Sequence, residues 1–279
     1  MPNTPIKRFR AASKYLVIAA AILVFIGWFI NTPPGLLGKA DAIGYAVCHR
    51  IGERSFHIGS IQLPLCARCS GMYLGAVSGL VFQSIVGWKR LKIPHWSIIA
   101  VLVAFVAAFG IDGVNSYLAL LKQVSPGFLP NIHNIYTPNN TLRLLTGGGM
   151  GLGMAVMLFP AFNQTVWADG KDLPAISGWK TFGLLLGIQG IFDLLVLTNS
   201  PIVLFPLAII TALGVWLLLG LVYGMIWVMI MGQDNQYTKL RQLWLPLLAG
   251  LTIAMIQTAA IDALRFWITG TWGGFPLKQ

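Results

Sequence analysis

The chain has 279 residues, 56% of them hydrophobic and only 10% charged, with a mean hydropathy of +0.74. Soluble domains carry about 25% charged residues, so the composition excludes an ordinary water-soluble domain. The formal net charge of +11 suggests a polyanion partner, but the cations flank apolar runs and form no basic stripe. Nucleic acid is therefore not an expected partner.

The first apolar run, Tyr15–Ile30, follows Lys7, Arg8, Arg10 and Lys14. Ala40-Asp41-Ala42 has the small-x-small pattern of a signal cleavage site. It lies about ten residues past the run, too far for a typical signal, so an uncleaved anchor is expected. Leu36–Val47 reads as a short amphipathic, interfacial helix. Apolar segments follow at 66–87, 95–120, 141–161, 179–198, 202–231 and 243–268, each near the ~20 residues that cross ~30 Å of hydrocarbon. Pro206 is expected to kink or delay the sixth span. The expected fold class is all-α, a polytopic transmembrane bundle of about seven spans. It forms one transmembrane domain over 1–279, with the motif-bearing part at about 36–160 and additional spans at about 179–268.

Orientation follows from the Lys/Arg bias. With the N-terminus inside, eleven cations fall in cytoplasmic segments, among them Lys14, Lys89, Arg90, Lys92, Lys171, Lys180, Lys239 and Arg241. Eight fall outside, and four of these (Arg50, Arg54, Arg68, Arg143) belong to candidate motifs. The expected topology is N-in/C-out. It brings Asp41, Glu53, Asp112, Asp193 and Asp262 to the outer half. Ionisable groups inside spans are costly and face cavities or one another, so a polar, outward-open pocket is expected there.

All three cysteines lie within 22 residues, in Cys48-His49-Arg50 and Cys66-Ala67-Arg68-Cys69. Cys66 and Cys69, at i and i+3, share a helix face, and a helix N-terminus favours thiolates. Cys48, His49, Cys66 and Cys69 thus form a candidate tetrahedral metal set, with zinc the expected ion. Adjacent side chains do not easily share one ion, so His57 is an alternative to His49. Two other readings compete: a thiol–disulfide pair of Cys66 and Cys69, and three small buried cysteines beside a capping histidine. The odd cysteine count tells against a two-pair redox relay. Arg50, Arg54 and Arg68 are candidate anion ligands, because guanidinium forks grip carboxylate or phosphate. Asp112 is a candidate base and Arg143 a candidate anion clamp; salt bridges, such as Arg143 to Asp112 or Arg265 to Asp262 or Asp193, are the structural alternative. Gly71, Gly75 and Gly79, with Gly147–Gly153, read as helix-packing stripes. Ser125–Asn139 is a Pro/Asn-rich outer loop.

Cys48-His49-Arg50, Glu53-Arg54-Ser55-Phe56 and Pro64-x-Cys66-x-Arg68-Cys69-x-Gly71-x-Tyr73-x-Gly75 together resemble an uncharacterised prokaryotic membrane-protein family, domain of unknown function 2085. Asp112-Gly113 and Asn140-x-Leu142-Arg143-x-x-Thr146-Gly147 resemble its later blocks, so the likeness covers roughly 45–155. The resemblance implies a multi-pass protein of a prokaryotic cytoplasmic membrane but no reaction, and whether the chain is an enzyme stays open. Three functions are compatible with these residues. The first is an outward-facing Cys/His metal protein beside an Arg/Asp pocket, the second a membrane thiol–disulfide oxidoreductase using Cys66 and Cys69. The third is a non-catalytic accessory subunit of a larger membrane complex. Membrane lipids are expected partners in all three, and other membrane subunits in the last.

Overall fold

A computed structural model describes residues 5–125, 127 and 131–274. Residues 126 and 128–130 of the outer loop and the side chains of Lys7, Arg8 and Arg10 lie outside the described part. Among the described residues, seven helices are long and apolar enough to cross a membrane. They are α1 (Pro5–Asn31), α3 (Ala67–Val86), α4 (Trp96–Val124), α5 (Asn140–Val166), α6 (Trp179–Leu197), α7 (Pro201–Ile230) and α8 (Trp244–Thr269). A shorter helix, α2 (Gly35–Val47), follows α1. The other elements are small: an antiparallel hairpin of β1 (His57–Ile58) and β2 (Ile61–Gln62), and a parallel pairing of β3 (Arg90–Lys92) with β4 (Lys171–Pro174). The chain is thus a helical bundle, as its apolar periodicity requires.

α2 packs on α7 and α8 through its buried Ala40, Ala42, Ile43, Gly44 and Tyr45, while Leu36 at its start is exposed. Gly44 lets it sit against the Pro64 carbonyl. Pro206 does not delay α7, which begins at Pro201 and carries Pro206 inside its first two turns. Pro201 itself occupies the first helical turn, where a missing N–H costs nothing.

The helices divide into a core and a jacket. In α3 and α5, 56% of the most apolar window is buried inside the bundle, against 17% in α1 and α4. Leu23, Phe25 and Ile30 of α1 and Val103 and Val114 of α4 are exposed. Apolar side chains facing outward on this scale suit lipid and not water. The core pair owes its closeness to glycine. Gly71 abuts the Leu144 carbonyl, and a Cβ added at Gly75 would overlap the Gly148 carbonyl oxygen and stand 3.1 Å from its carbon. The backbones of α3 and α5 therefore touch, as small-residue stripes allow.

The connections gather at two ends. At one, the Trp88 ring lies tilted 5.6 Å from that of Trp167, Lys89 pairs with Asp169 at 2.7 Å, and the Lys14 ammonium lies 5.6 Å from the Trp244 ring. At the other end lie both cysteine motifs, the end of α4 and the start of α5. Trp28 closes α1 against α8 there, its indole donating to Asp262 Oδ2 at 3.1 Å. The arrangement matches the alternation expected of seven spans, with the basic connections opposite the cysteines.

Candidate functional site

Local rules place the three thiols. Cys48 ends α2 in extended backbone, its N–H closing on the Gly44 carbonyl at 2.8 Å. Cys66 is the N-cap of α3, and Cys69 sits in the first turn. The segment between them folds back through β1 and β2, with Leu63 N–H returning to Phe56 O at 3.0 Å. The three sulfurs consequently lie within 4.8 Å of one another. All three cysteines are free; Cys48 and Cys66 are buried and Cys69 half-buried.

The cluster favours one thiolate. Thiols of Cys66 and Cys69 donate to the Cys48 sulfur, as does the Cys66 backbone N–H at 3.3 Å. These donors hold Cys48 well below the ordinary thiol range, against the opposing effect of burial. Donating to Cys48 pushes the Cys66 thiol up to about 12. The open N-terminus of α3 adds its partial positive charge to the same side.

His49 does not join the sulfurs: the group of metal-capable atoms within mutual reach comprises the three cysteines alone among the described residues. Its Nδ1 accepts the Ile51 N–H at 3.2 Å, a local turn. Burial lowers its pKa, with the Cys48 charge opposing and Arg54, Arg68 and Arg143 adding to the effect. His57 is likewise outside the cluster.

The arginines separate into engaged and available groups. Arg68 gives Nε to Asp112 Oδ2 at 3.0 Å and Nη2 to the same oxygen, to Ser116 Oγ at 3.0 Å and to the Asp112 carbonyl at 3.0 Å. Asp112 is fully buried and its other oxygen accepts from the Tyr136 hydroxyl at 2.7 Å. Asp112 is thus enclosed by donors, an anchor in place of the free base its position suggested. Arg50 is spent on Asp41 at 2.8 Å and on the Trp272 carbonyl at 2.9 Å. Arg143 does not pair with Asp112: its Nη1 donates to Asn140 Oδ1 at 2.8 Å, while its buried Nε has no partner. Arg54 donates to the Ser116 carbonyl at 3.1 Å.

Arg54 and Arg143 line a recess of ≈ 330 Å³ together with Glu53, Lys122 and Asn134. Three cations face one carboxylate there. Burial, and then the neighbouring Arg68 guanidinium, lowers the Arg54 pKa. The loop before α5 walls the recess: Asn134 Nδ2 donates to the Asn115 carbonyl at 2.7 Å, and the Asn115 side chain donates to the Tyr136 carbonyl at 2.9 Å.

The expected single Asp/Arg pocket is therefore several separate networks. Asp193 accepts from Gln189 at 2.9 Å, and Gln189 in turn accepts from Ser78 at 2.9 Å. Asp262 belongs to Trp28, not to Arg265, whose Nη1 donates to the carbonyls of Tyr45 and Cys48, the latter at 2.6 Å. Sequence reasoning missed Lys122 in the last turn of α4, and Tyr136 and Asn134; the latter two lie in the loop that follows. Their only signal is a polar, aromatic-bearing loop directly before Asn139, the N-cap whose Oδ1 accepts the Leu142 N–H at 2.8 Å.

Fold and thiol cluster together define a multi-pass helical membrane protein with a cysteine motif at one end. Residues 48–157 match the family described as "Predicted membrane protein (DUF2085)", which bears out the resemblance read over 45–155. The chain is 24% identical over 173 residues to an uncharacterised protein of Methanocaldococcus jannaschii, covering 56% of this chain and 97% of that protein. It is 28% identical over 111 residues to an uncharacterised protein of Methanothermobacter thermautotrophicus, covering 40% of this chain and 83% of the relative. No solved structure matches the chain. The matched block contains all three cysteines, Asp112 and Arg143, and ends before α6.

Proposed function

We propose that Cys48, Cys66 and Cys69 hold a metal ion, zinc by the chemistry of the donors, and that the Arg54/Arg143 recess beside it receives an anionic ligand. One observation carries the reading: the only three cysteines of the chain converge, from two separate motifs, to within 4.8 Å. Sulfurs around a tetrahedral zinc, at Zn–S ≈ 2.3 Å, stand ~3.8 Å apart, so small side-chain shifts would bring all three onto one ion and leave its fourth position to water or a ligand. Three mutually close thiols fit a metal better than a redox pair, which would leave one over. The ion would supply Lewis acidity or a fixed cross-link between α2 and α3; the arginines supply the charge that draws a phosphate or carboxylate. The excess of Lys and Arg at the opposite end supports an extracytoplasmic site in a prokaryotic cytoplasmic membrane.

Elemental analysis of detergent-purified protein tests this. About one zinc per chain is expected, lost in Cys66→Ser and in the triple serine variant, with alkylation of the wild-type thiols blocked until chelator is added. Undiminished metal in the triple variant overturns the proposal. Alkylation that responds to reductant and not to chelator would point instead to a Cys66–Cys69 thiol–disulfide enzyme. Fixed partners co-purifying with a metal-free wild-type protein would point to an accessory subunit.

A further inference from the structure

Away from the thiols and outside the family block, α1 and α8 enclose a second cavity, of ≈ 430 Å³. Trp28, Asn31, Thr32, Asp262, Phe266 and Trp272 are among its walls. Asp262 is 3% exposed. Its Oδ2 takes the Trp28 indole N–H, and its Oδ1 is buried with no hydrogen-bond partner. Among the described residues no ion pair includes Asp262. The cation one turn along, Arg265, sends Nη1 to the Tyr45 and Cys48 carbonyls and lies 4.0 Å over the Tyr45 ring. A carboxylate buried in an apolar wall is costly unless something positive meets it.

We propose that this cavity binds an organic ammonium group, its charge balanced by the Asp262 carboxylate in the wall and its alkyl surface met by Trp28, Phe266 and Trp272. The volume far exceeds that of a bare metal ion, and one carboxylate is a poor ligand set for calcium or magnesium, which require several oxygens. Aromatic faces with a single carboxylate are the recognised means of holding alkylammonium ions. The chain already shows the preference of this neighbourhood: the Lys39 ammonium lies 4.3 Å from the Phe29 ring and 5.9 Å from that of Trp28. That lysine is held by Thr32, through Oγ1 at 2.9 Å and the carbonyl at 3.0 Å. Phe266 is 41% exposed on the outside of the bundle. The ammonium can therefore come from a phospholipid headgroup or from a free amine.

Tryptophan fluorescence of the full chain in detergent, titrated with tetramethylammonium chloride against sodium chloride at equal ionic strength, tests the site. The wild type should show a saturable change that sodium chloride does not produce. Asp262→Asn should weaken it at least tenfold; Trp272→Leu, in the segment after α8, should weaken it severalfold and carries the test if the first variant fails to fold. Gly110→Ala on α4, where an added Cβ meets nothing within 4 Å, should leave it unchanged. Repeating the titration in phosphatidylethanolamine and phosphatidylglycerol nanodiscs identifies the source. Weaker tetramethylammonium binding in the former indicates a headgroup already bound, and equal binding a free amine. An unsaturable response, or both variants binding as the wild type does, overturns the proposal.

Discussion

Replacing Arg68 by alanine would expose how the motif end is held together. Asp112 is 1% and Arg68 18% exposed through their side chains, so the pair is largely shielded from water. Without Arg68, the Asp112 carboxylate keeps only the Tyr136 hydroxyl as a side-chain donor. Removing one partner of such a pair costs about 3–5 kcal/mol, because the surviving charge stays buried. At about 2–4 °C per kcal/mol for chains of this size, the melting midpoint should fall by about 6–20 °C. Asp112→Asn should cost less, about 1–3 kcal/mol, since Arg68 retains Ser116 Oγ and the Asp112 carbonyl and reaches solvent. The double variant buries no charge and should be more stable than the sum of the single losses implies. Tryptophan fluorescence melts in detergent at neutral pH measure all three. If the single losses were equal and summed to the double within about 0.5 kcal/mol, Arg68 and Asp112 would not be coupled and the anchor would be disproved.

Gly75→Val should destabilise by about 1–3 kcal/mol or prevent folding by driving α3 off α5, whereas Gly110→Ala on α4, where an added Cβ meets nothing within 4 Å, should leave the melting midpoint nearly unchanged. The Tyr136 hydroxyl, pushed up to about 12 by burial, its hydrogen bond to Asp112 and then the Asp112 charge, makes a signed prediction. Its folded pKa exceeds the unfolded value near ~10, so its contribution is complete below about pH 10 and is lost as pH rises through about 12. The stability difference between wild type and Tyr136→Phe should therefore be level up to that window and shrink across it; a difference that grows there contradicts the assignment. Inorganic phosphate should raise the wild-type melting midpoint, by an amount equivalent to about 2.7 kcal/mol at a hundred times its dissociation constant, and should do nothing for the Arg54→Gln/Arg143→Gln variant. An equal rise in both refutes the recess as an anion site.

The spans were legible because crossing hydrocarbon imposes a length and an apolarity that few other segments share. What Leu36–Val47 packs against was less legible: a half-apolar helix looks alike whether its greasy face meets headgroups alone or, as here, also α7 and α8. The sulfur cluster could be read from spacing, since Cys66 and Cys69 are helical neighbours and a hairpin returns Cys48 to them. Charge pairing could not. Arg68 and Arg143 both begin spans at the same end as Asp112, and which one reaches it depends on the rotation of α3 and α5 about their axes. That rotation is fixed by contacts such as Gly71 against Leu144, which appear in the sequence only as a stripe of small residues. The meeting of Trp28 with Asp262, 234 residues apart, left no trace at all in the sequence.

The backbone-to-backbone seam between α3 and α5 also governs how the motif end can move. Cys66, Arg68 and Cys69 ride on one rail and Arg143 on the other, and at Gly71 and Gly75 backbone meets backbone with no side chain between the rails to swing aside. A bound ion or anion cannot widen their spacing by a change of rotamer. Any response to it must slide the two helices lengthwise as rigid bodies, or be taken up by the flanking hairpin and the Tyr136 loop.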